Sequence, residues 1–249
     1  MYSIGIDSGS ATTKGVLFDG QRIIERIIVP TGANPRRTIE EVHGKLHREG
    51  AYTVTTGYGR ALLKATDKQV TEITCHGKGA AYLSDGISVI VDIGGQDSKV
   101  ILLDEDHNIK DFLMNDKCAA GTGRFVEVIM RILQEDLCDL DNYVKGNEGI
   151  KISSMCTVFA ESEVVSLLAE DIPGPKIAMG VIDSISQRTS NLAKRLPING
   201  RVFFSGGLAN IDHVRLSLEK QLGLEVITHD DAQLVGAIGA AVIGHNFVK

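Results

Sequence analysis

The chain is predicted to be an α/β protein of two related lobes. Three observations carry this: one strand–turn–strand pattern occurs twice, helix-length segments alternate with apolar strands, and 249 residues with 43% hydrophobic content can fill two small cores. The repeated pattern is Ile4-Gly-Ile-Asp-Ser-Gly-Ser-Ala-Thr-Thr-Lys-Gly-Val-Leu-Phe-Asp19 and Val89-Ile-Val-Asp-Ile-Gly-Gly-Gln-Asp-Ser-Lys-Val-Ile-Leu-Leu-Asp104. In each copy an apolar strand ends on an Asp, a Gly-rich turn follows, and a second apolar strand returns, which is the signature of a β-hairpin.

The first lobe is expected to span 1–82 plus 234–249 and the second 83–233, with a hinge around Gly77 to Asp85. After the first hairpin, Arg22 to Val29 reads as a strand. Pro35 to Gly50 reads as a helix with Ile39, Val42 and Leu46 on one face, and Tyr52 to Thr56 as a strand. The second lobe begins near Gly86 with its hairpin, followed by helical segments at Arg124 to Glu135, Phe159 to Glu170 and Ile177 to Leu196. Arg201 to Asn210 is a strand running into a Gly-Gly turn, Val214 to Leu222 a helix and Leu224 to Thr228 a strand. The tail from Gln233 to Val248 has small and apolar residues at helical spacing and is expected to cross back onto the first lobe.

At the hairpin turns, Gly9, Gly94 and Gly95 let backbone N–H groups come close to an anion, with no Cβ in the way and positive φ accessible. A polyphosphate is the expected anion. Asp7 and Asp92, at the strand ends, are candidates to hold a hydrated Mg²⁺, which binds through one or two carboxylates plus phosphate oxygens. Ser10, Thr12, Thr13 and Lys14 are placed to contact phosphate oxygens, and the turn at Gly206-Gly207 suits an adenosine pocket. The sequence contains neither a Gly-x-x-x-x-Gly-Lys-Ser/Thr loop nor a Gly-x-Gly-x-x-Gly turn opening a helix, so the P-loop and Rossmann modes are not supported.

A formal net charge of −6 with scattered Lys and Arg argues against a nucleic-acid surface. The longest apolar runs fall short of the ~20 residues of a membrane span. The first strand starts at once, without a signal peptide, so a cytoplasmic protein with no membrane association is expected. The four cysteines, at 75, 118, 138 and 156, lack Cys-x-x-Cys spacing and do not suggest a disulfide framework. Cys118 and Cys156 each immediately precede a helical segment, where the helix dipole and free N–H groups favour thiolate. Two thiolates per chain cannot fill a [4Fe–4S] cluster, whereas a two-fold homodimer brings four together; burial as small core residues is the alternative.

Asn115 to Phe125 and Ser153 to Val164, together with both hairpins, closely resemble the ATP-dependent activators of 2-hydroxyacyl-CoA dehydratases. That BadF/BadG/BcrA/BcrD family also includes benzoyl-CoA reductase ATPase subunits. The resemblance runs from Ile4 to about Ala241 and takes in Thr56-Gly-Tyr-Gly-Arg60, Cys75-His-Gly-Lys-Gly-Ala80 and Gln233-Leu-Val-Gly-Ala-Ile-Gly-Ala-Ala241. It implies the two-lobed actin/hexokinase/Hsp70-like ATPase fold, of ribonuclease H-like type, with ATP and Mg²⁺. It further implies a homodimer sharing one [4Fe–4S] cluster, with Cys118 and Cys156 of each subunit as ligands and Cys75 and Cys138 as non-ligands.

By the same resemblance, Ser10 to Lys14 (Ser10, Ala11, Thr12, Thr13 and Lys14) match the first phosphate loop, with Ser8 and Gly9 also binding the nucleotide, and Asp92 to Gln96, with Gly94 and Gly95, match the second. Gly121, Gly123, Gly206, Gly207 and Gln233 complete the nucleotide site, Asp7 and Gln96 are the catalytic candidates, and Gln96 would orient the attacking water. Ile211 stands where the family commonly carries a polar residue. The implied partners are ferredoxin or flavodoxin as electron donor and an iron–sulfur dehydratase or reductase as acceptor. The competing readings are a sugar or acetate kinase of the same superfamily and a non-redox ATP-binding sensor.

Other residues read more simply. Glu161 and Glu163 are expected to complement a helix N-terminus, His76 and Lys78 to lie at a helix start rather than in a metal site, and Arg60 to be a surface residue.

Overall fold

The computed structural model describes residues 1–153 and 156–248. Ser154 and Met155, within the second cysteine segment, and Lys249, the last residue of the expected first lobe, lie outside the described residues.

The first hairpin is β1 (Ser3–Ser8) and β2 (Thr12–Phe18), continued antiparallel by β3 (Ile23–Pro30). The chain then crosses through α1 (Pro35–Leu46) to β4 (Tyr52–Thr56), parallel to β1, and the short β5 (Lys68–Gln69) closes the sheet in the order β3-β2-β1-β4-β5. After α2 (Glu72–Leu83) the plan repeats: β6 (Ile87–Ile93), β7 (Ser98–Leu103) and β8 (Ile109–Asn115) form an antiparallel meander. The crossover here is longer and carries α3 (Gly123–Ile132), α4 (Leu140–Val144), α5 (Thr157–Ala169) and α6 (Gly174–Ala193). It leads to β9 (Arg201–Gly206), parallel to β6, and α7 (Asp212–Leu222) connects to β10 (Val226–Ile227), giving the order β10-β9-β6-β7-β8. α8 (Val235–His245) returns to the first sheet. The two sheets therefore share one topology: a three-stranded meander whose first strand pairs with a parallel crossover strand.

β1 is buried along its whole length because both sheet faces are covered. On one face Ile4, Ile6 and Leu17 meet Ile39, Val42 and Leu46 of α1, the stripe expected from their spacing. On the other, Val16 and Phe18 meet Ala237, Ile238 and Ala241 of α8. The second sheet builds a larger core, which takes in Val91, Ile93, Phe203 and Phe204 together with Ile177, Val181, Ile182 and Ile185 of α6.

Several expectations need correction. Most of the segment Gly77 to Asp85 is not a hinge loop: Gly77 to Leu83 belong to α2, which packs tightly on α8. A Cβ on Gly239 would lie 1.8 Å from the Cys75 carbonyl oxygen, so only glycine lets these two helices approach so closely. The helix from Pro35 ends at Leu46 rather than Gly50. β8 and α4 were not anticipated; β8 is an edge strand exposing Phe112 and Met114, so it lacks the apolar alternation that marks a half-buried strand.

Candidate functional site: an interlobe cavity between two Asp–Lys hairpins

The hairpin turns converge on a cavity of about 260 Å³. Of the residues expected at the site, Asp7, Gly9, Ser10, Ala11, Thr12, Lys14, Asp92, Gly94, Gly95, Gly123, Gly206, Gly207 and Gln233 line it. Ser8, Thr13, Gln96 and Gly121 do not. Ser8 and Thr13 are buried and hold the turn from behind: Thr13 Oγ1 lies 3.0 Å from Thr31 Oγ1, and Thr31 Oγ1 donates to the Gly9 carbonyl (2.8 Å). Gly121 is buried behind the cysteine loop.

Gln96 is exposed at the tip of its turn. The Gly94 N–H donates to the Asp97 carbonyl (2.9 Å), a tight turn that brings Asp97 to the cavity instead. Nor do Gly9, Gly94 and Gly95 use positive φ. At Gly94 and Gly95 the need is closeness: a Cβ on Gly94 would sit 2.5 Å from Asp97 Oδ1, and one on Gly95 2.7 Å from the Ala11 methyl carbon.

Both hairpins place a lysine opposite the strand-end aspartate: Asp7 pairs in register with Lys14, and Asp92 with Lys99. Lys14 Nζ lies 3.4 Å from Asp7 Oδ2, and Lys99 Nζ 3.2 Å from Asp92 Oδ2. Lys99 also meets Asp97 Oδ2 at 2.7 Å and Glu72 Oε1 at 3.1 Å. Burial disfavours its charge, but the three carboxylates outweigh that and hold its pKa above the ordinary lysine value. Glu72 titrates higher than usual because it is desolvated, Lys99 partly offsetting this.

His76, one helical turn after Glu72, completes the cluster. Its Nδ1 lies 2.9 Å from the Glu72 carbonyl oxygen and its Nε2 3.3 Å from Asp92 Oδ1. With Lys99 beside it Asp92 is ionised, so both oxygens facing the ring are acceptors only, both nitrogens carry protons, and His76 is an imidazolium. Burial alone would lower its pKa; the charge of Asp92 and the hydrogen bond to it raise it to about 9. Burial likewise works against the Asp92 charge, yet His76, Lys99 and the Ser205 hydroxyl (2.8 Å) hold Asp92 well below the usual carboxylate range.

Glu72, His76, Asp97 and Lys99 were missed by sequence reasoning. The signal for Lys99 lay in the repeat itself, which aligns it with Lys14, and Glu72 and His76 stand at the i,i+4 spacing that puts two side chains on one helix face. Tyr58, Glu127, Leu137 and Leu208 also line the cavity without having been anticipated.

The cysteine loop is bonded directly to the second hairpin turn: the Gly123 N–H donates to the Gly94 carbonyl (2.8 Å) and the Arg124 N–H to that of Gly95 (3.1 Å). The Asn115 side chain clamps Cys118, accepting from its N–H (3.2 Å) and donating to its carbonyl (2.9 Å). Cys118 and Cys156 are both exposed, each at the residue preceding a helical turn or helix. Cys75 is buried, and burial pushes its thiol up to about 12, so it offers no thiolate. Cys138 is exposed beside Asp136 and Asp139. The Glu163 carboxylate accepts from the Ser153 N–H (2.8 Å) and hydroxyl (2.7 Å), in the segment that leads into α5. At Ile211 the missing cap of α7 is supplied from α4, where Asp141 accepts from the N–H groups of Asp212 and His213.

Residues 4–244 match the model of the BadF/BadG/BcrA/BcrD ATPase family. The chain is 50% identical over 247 residues to the Escherichia coli protein YjiL, covering 98% of this chain and 96% of that one. It is 41% identical over 254 residues to the (R)-2-hydroxyglutaryl-CoA dehydratase activating ATPase of Acidaminococcus fermentans, covering 98% and 97%. Among solved structures, the activator of the 2-hydroxyisocaproyl-CoA dehydratase from Clostridium difficile with bound ADPNP superimposes with a TM-score of 0.93 at 39% identity, covering 100% of this chain and 96% of that one. A ROK family glucokinase from Streptomyces griseus, 12% identical with a TM-score of 0.58, shares the fold alone. The two-lobed hexokinase-like architecture, the paired hairpins around one cavity and the match along nearly the whole chain agree: the protein belongs to the BadF/BadG/BcrA/BcrD ATPase family.

Proposed function

We propose that this protein is an ATP-driven electron-transfer activator of a 2-hydroxyacyl-CoA dehydratase or a related iron–sulfur reductase. The observation that carries the reading is the pair of backbone hydrogen bonds from Gly123 and Arg124 to Gly94 and Gly95, which ties the Cys118 loop to a phosphate turn. A nucleotide that changes the position of that turn must move Cys118 with it, which is how differential binding of ATP and ADP can bias the cysteine site. In this reading the first and second lobes are residues 1–82 plus 234–249 and 83–233. Mg²⁺-nucleotide lies between Ser10, Thr12 and Lys14 of hairpin 1, the turn of hairpin 2, and the Gly206–Gly207 and Gln233 side of the cavity.

The donor set suits the cluster. Cys118 and Cys156 are exposed rather than buried as core residues, and two thiolates per chain make half of a four-thiolate set. Next to Cys156, α5 exposes Val158, Phe159 and Val165, an apolar face that a second copy of the chain would cover. A [4Fe–4S] cluster held by Cys118 and Cys156 of two subunits would supply one-electron transfer at low potential. Ferredoxin or flavodoxin is the proposed donor. No helix among the described residues is long and apolar enough to cross a membrane.

Anaerobic purification followed by iron and sulfide quantitation tests the reading. About four irons per dimer are expected, lost in Cys118→Ala; this exposed position should leave folding intact. No iron after anaerobic reconstitution sinks the electron-transfer role and leaves a kinase or an ATP-binding sensor.

A further inference from the structure

The two cavity aspartates are not equivalent toward a divalent cation. Both oxygens of Asp92 are taken: Oδ1 by the Ser205 hydroxyl (2.8 Å) and His76 Nε2 (3.3 Å), Oδ2 by Lys99 Nζ (3.2 Å). A metal ion placed against this carboxylate would have to displace one of these partners and would stand close to the Lys99 ammonium, which repels it. Asp7 is the opposite case. It is equally buried and lines the same cavity, but its Oδ1 has no hydrogen-bond partner and its Oδ2 has only the long contact to Lys14. A buried carboxylate oxygen left without a donor is costly unless a ligand supplies the missing charge.

We propose that the metal of the bound Mg²⁺-nucleotide is carried by Asp7 alone, and that His76, with Glu72 behind it on α2, is the positioning residue that keeps Asp92 out of its coordination. This disagrees with a symmetric arrangement in which both strand-end aspartates hold the ion. Mg²⁺ readily accepts a single carboxylate when phosphate oxygens and waters complete its octahedron, so one aspartate suffices. Asp92 then acts through position: it anchors Lys99 and His76, and through them the end of α2, to the second hairpin.

The inference rests on nucleotide occupying this cavity, and the test separates the two. Affinity for a fluorescent ADP is measured without metal; its absence in the wild-type protein removes the nucleotide reading itself. Mn²⁺ affinity in the presence of saturating ADP is then read from the EPR signal of the free ion. Asp7→Asn is expected to weaken Mn²⁺ binding about tenfold or more, down to the affinity of Mn²⁺ for ADP in solution, whereas Asp92→Asn changes it by less than about twofold. Tenfold weakening in Asp92→Asn, or tight binding retained in Asp7→Asn, overturns the proposal. If Asp92→Asn does not fold, the Asp7→Asn arm decides alone.

His76→Asn gives the readout that a merely structural residue would not move. In that background Asp92 Oδ1 keeps only the Ser205 hydroxyl and has room to accept the metal as well, so adding Asp7→Asn should cost less than about threefold. An unchanged tenfold loss there removes His76 from the role assigned to it.

Discussion

Hairpin 1 and hairpin 2 carry the same aspartate and the same facing lysine, yet one lysine is available and the other is locked. The Lys14 side chain is 15% exposed and has one carboxylate near it; that of Lys99 is 1% exposed and has three. The difference comes from the helix end laid over each strand terminus. Hairpin 2 receives Glu72 and His76 from α2, which build a closed ion cluster. Over Asp7, α8 presents Gly236, whose absent Cβ would have come within 2.8 Å of Asp7 Oδ2. The same local pattern thus yields a ligand-ready site under a bare backbone and a structural anchor under a charged helix face.

Removing each lysine should break the comparison most sharply. Lys99→Met leaves the buried Asp92 and Asp97 and the partly buried Glu72 without their ammonium, and should cost about 3–5 kcal/mol in a urea unfolding experiment, as loss of one partner from a buried ion network typically does. A loss below about 1 kcal/mol would mean that hairpin 2 is no more locked than hairpin 1.

A second effect is pH dependence. The folded pKa of His76, about 9, lies above the ordinary histidine value of 6.5, so the stability it contributes is complete below pH 6.5 and drains away as pH rises through 9. Thermal melts between pH 6 and 10 should show this fall, on the order of a few kcal/mol. His76→Gln should flatten the slope across that window, and a wild-type slope surviving the substitution would assign it elsewhere.

Gly236→Ala tests the bare backbone over hairpin 1. Its methyl would lie 2.8 Å from Asp7 Oδ2 and 3.1 Å from His76 Cε1, so it should destabilise by about 1–3 kcal/mol through overpacking and lower ATP turnover together. A smaller stability change than that of Lys99→Met belongs to Lys14→Met, about 1–3 kcal/mol, since one long contact is lost rather than three, although Asp7 is then left without a donor. ATP hydrolysis should nonetheless fall by at least about tenfold, the range expected when a transition-state charge contact is removed. Equal stability losses for Lys14→Met and Lys99→Met would erase the distinction between the hairpins.

Much of this architecture was legible in the sequence because it is encoded locally. Ile39, Val42 and Leu46 announced the buried face of α1, the repeated strand–Asp–Gly turn announced both hairpins, Gly206–Gly207 fall on the cavity wall as the turn chemistry suggested, and Gln233 falls there as the family resemblance implied. Edge strand β8 and the hinge-like reading of Gly77 to Asp85 failed for one reason: exposure and helix–helix packing depend on neighbours far along the chain. Gly79 reads as part of a hinge until Gly239, more than a hundred positions later, is seen to pack against its backbone.

By itself, then, the sequence determined the two-fold plan, the two Gly-rich hairpin turns, the helix-start cysteines and the family, since each depends on residue types within a few positions of one another. The tertiary structure alone decided that Asp7 keeps an unpartnered oxygen while both oxygens of Asp92 are bonded, that His76 lies against Asp92, and that the Cys118 loop is bonded to the second hairpin turn. These are properties of contacts between distant segments, fixed only when α2 and α8 pack against each other and bring the ends of both central strands to one cavity.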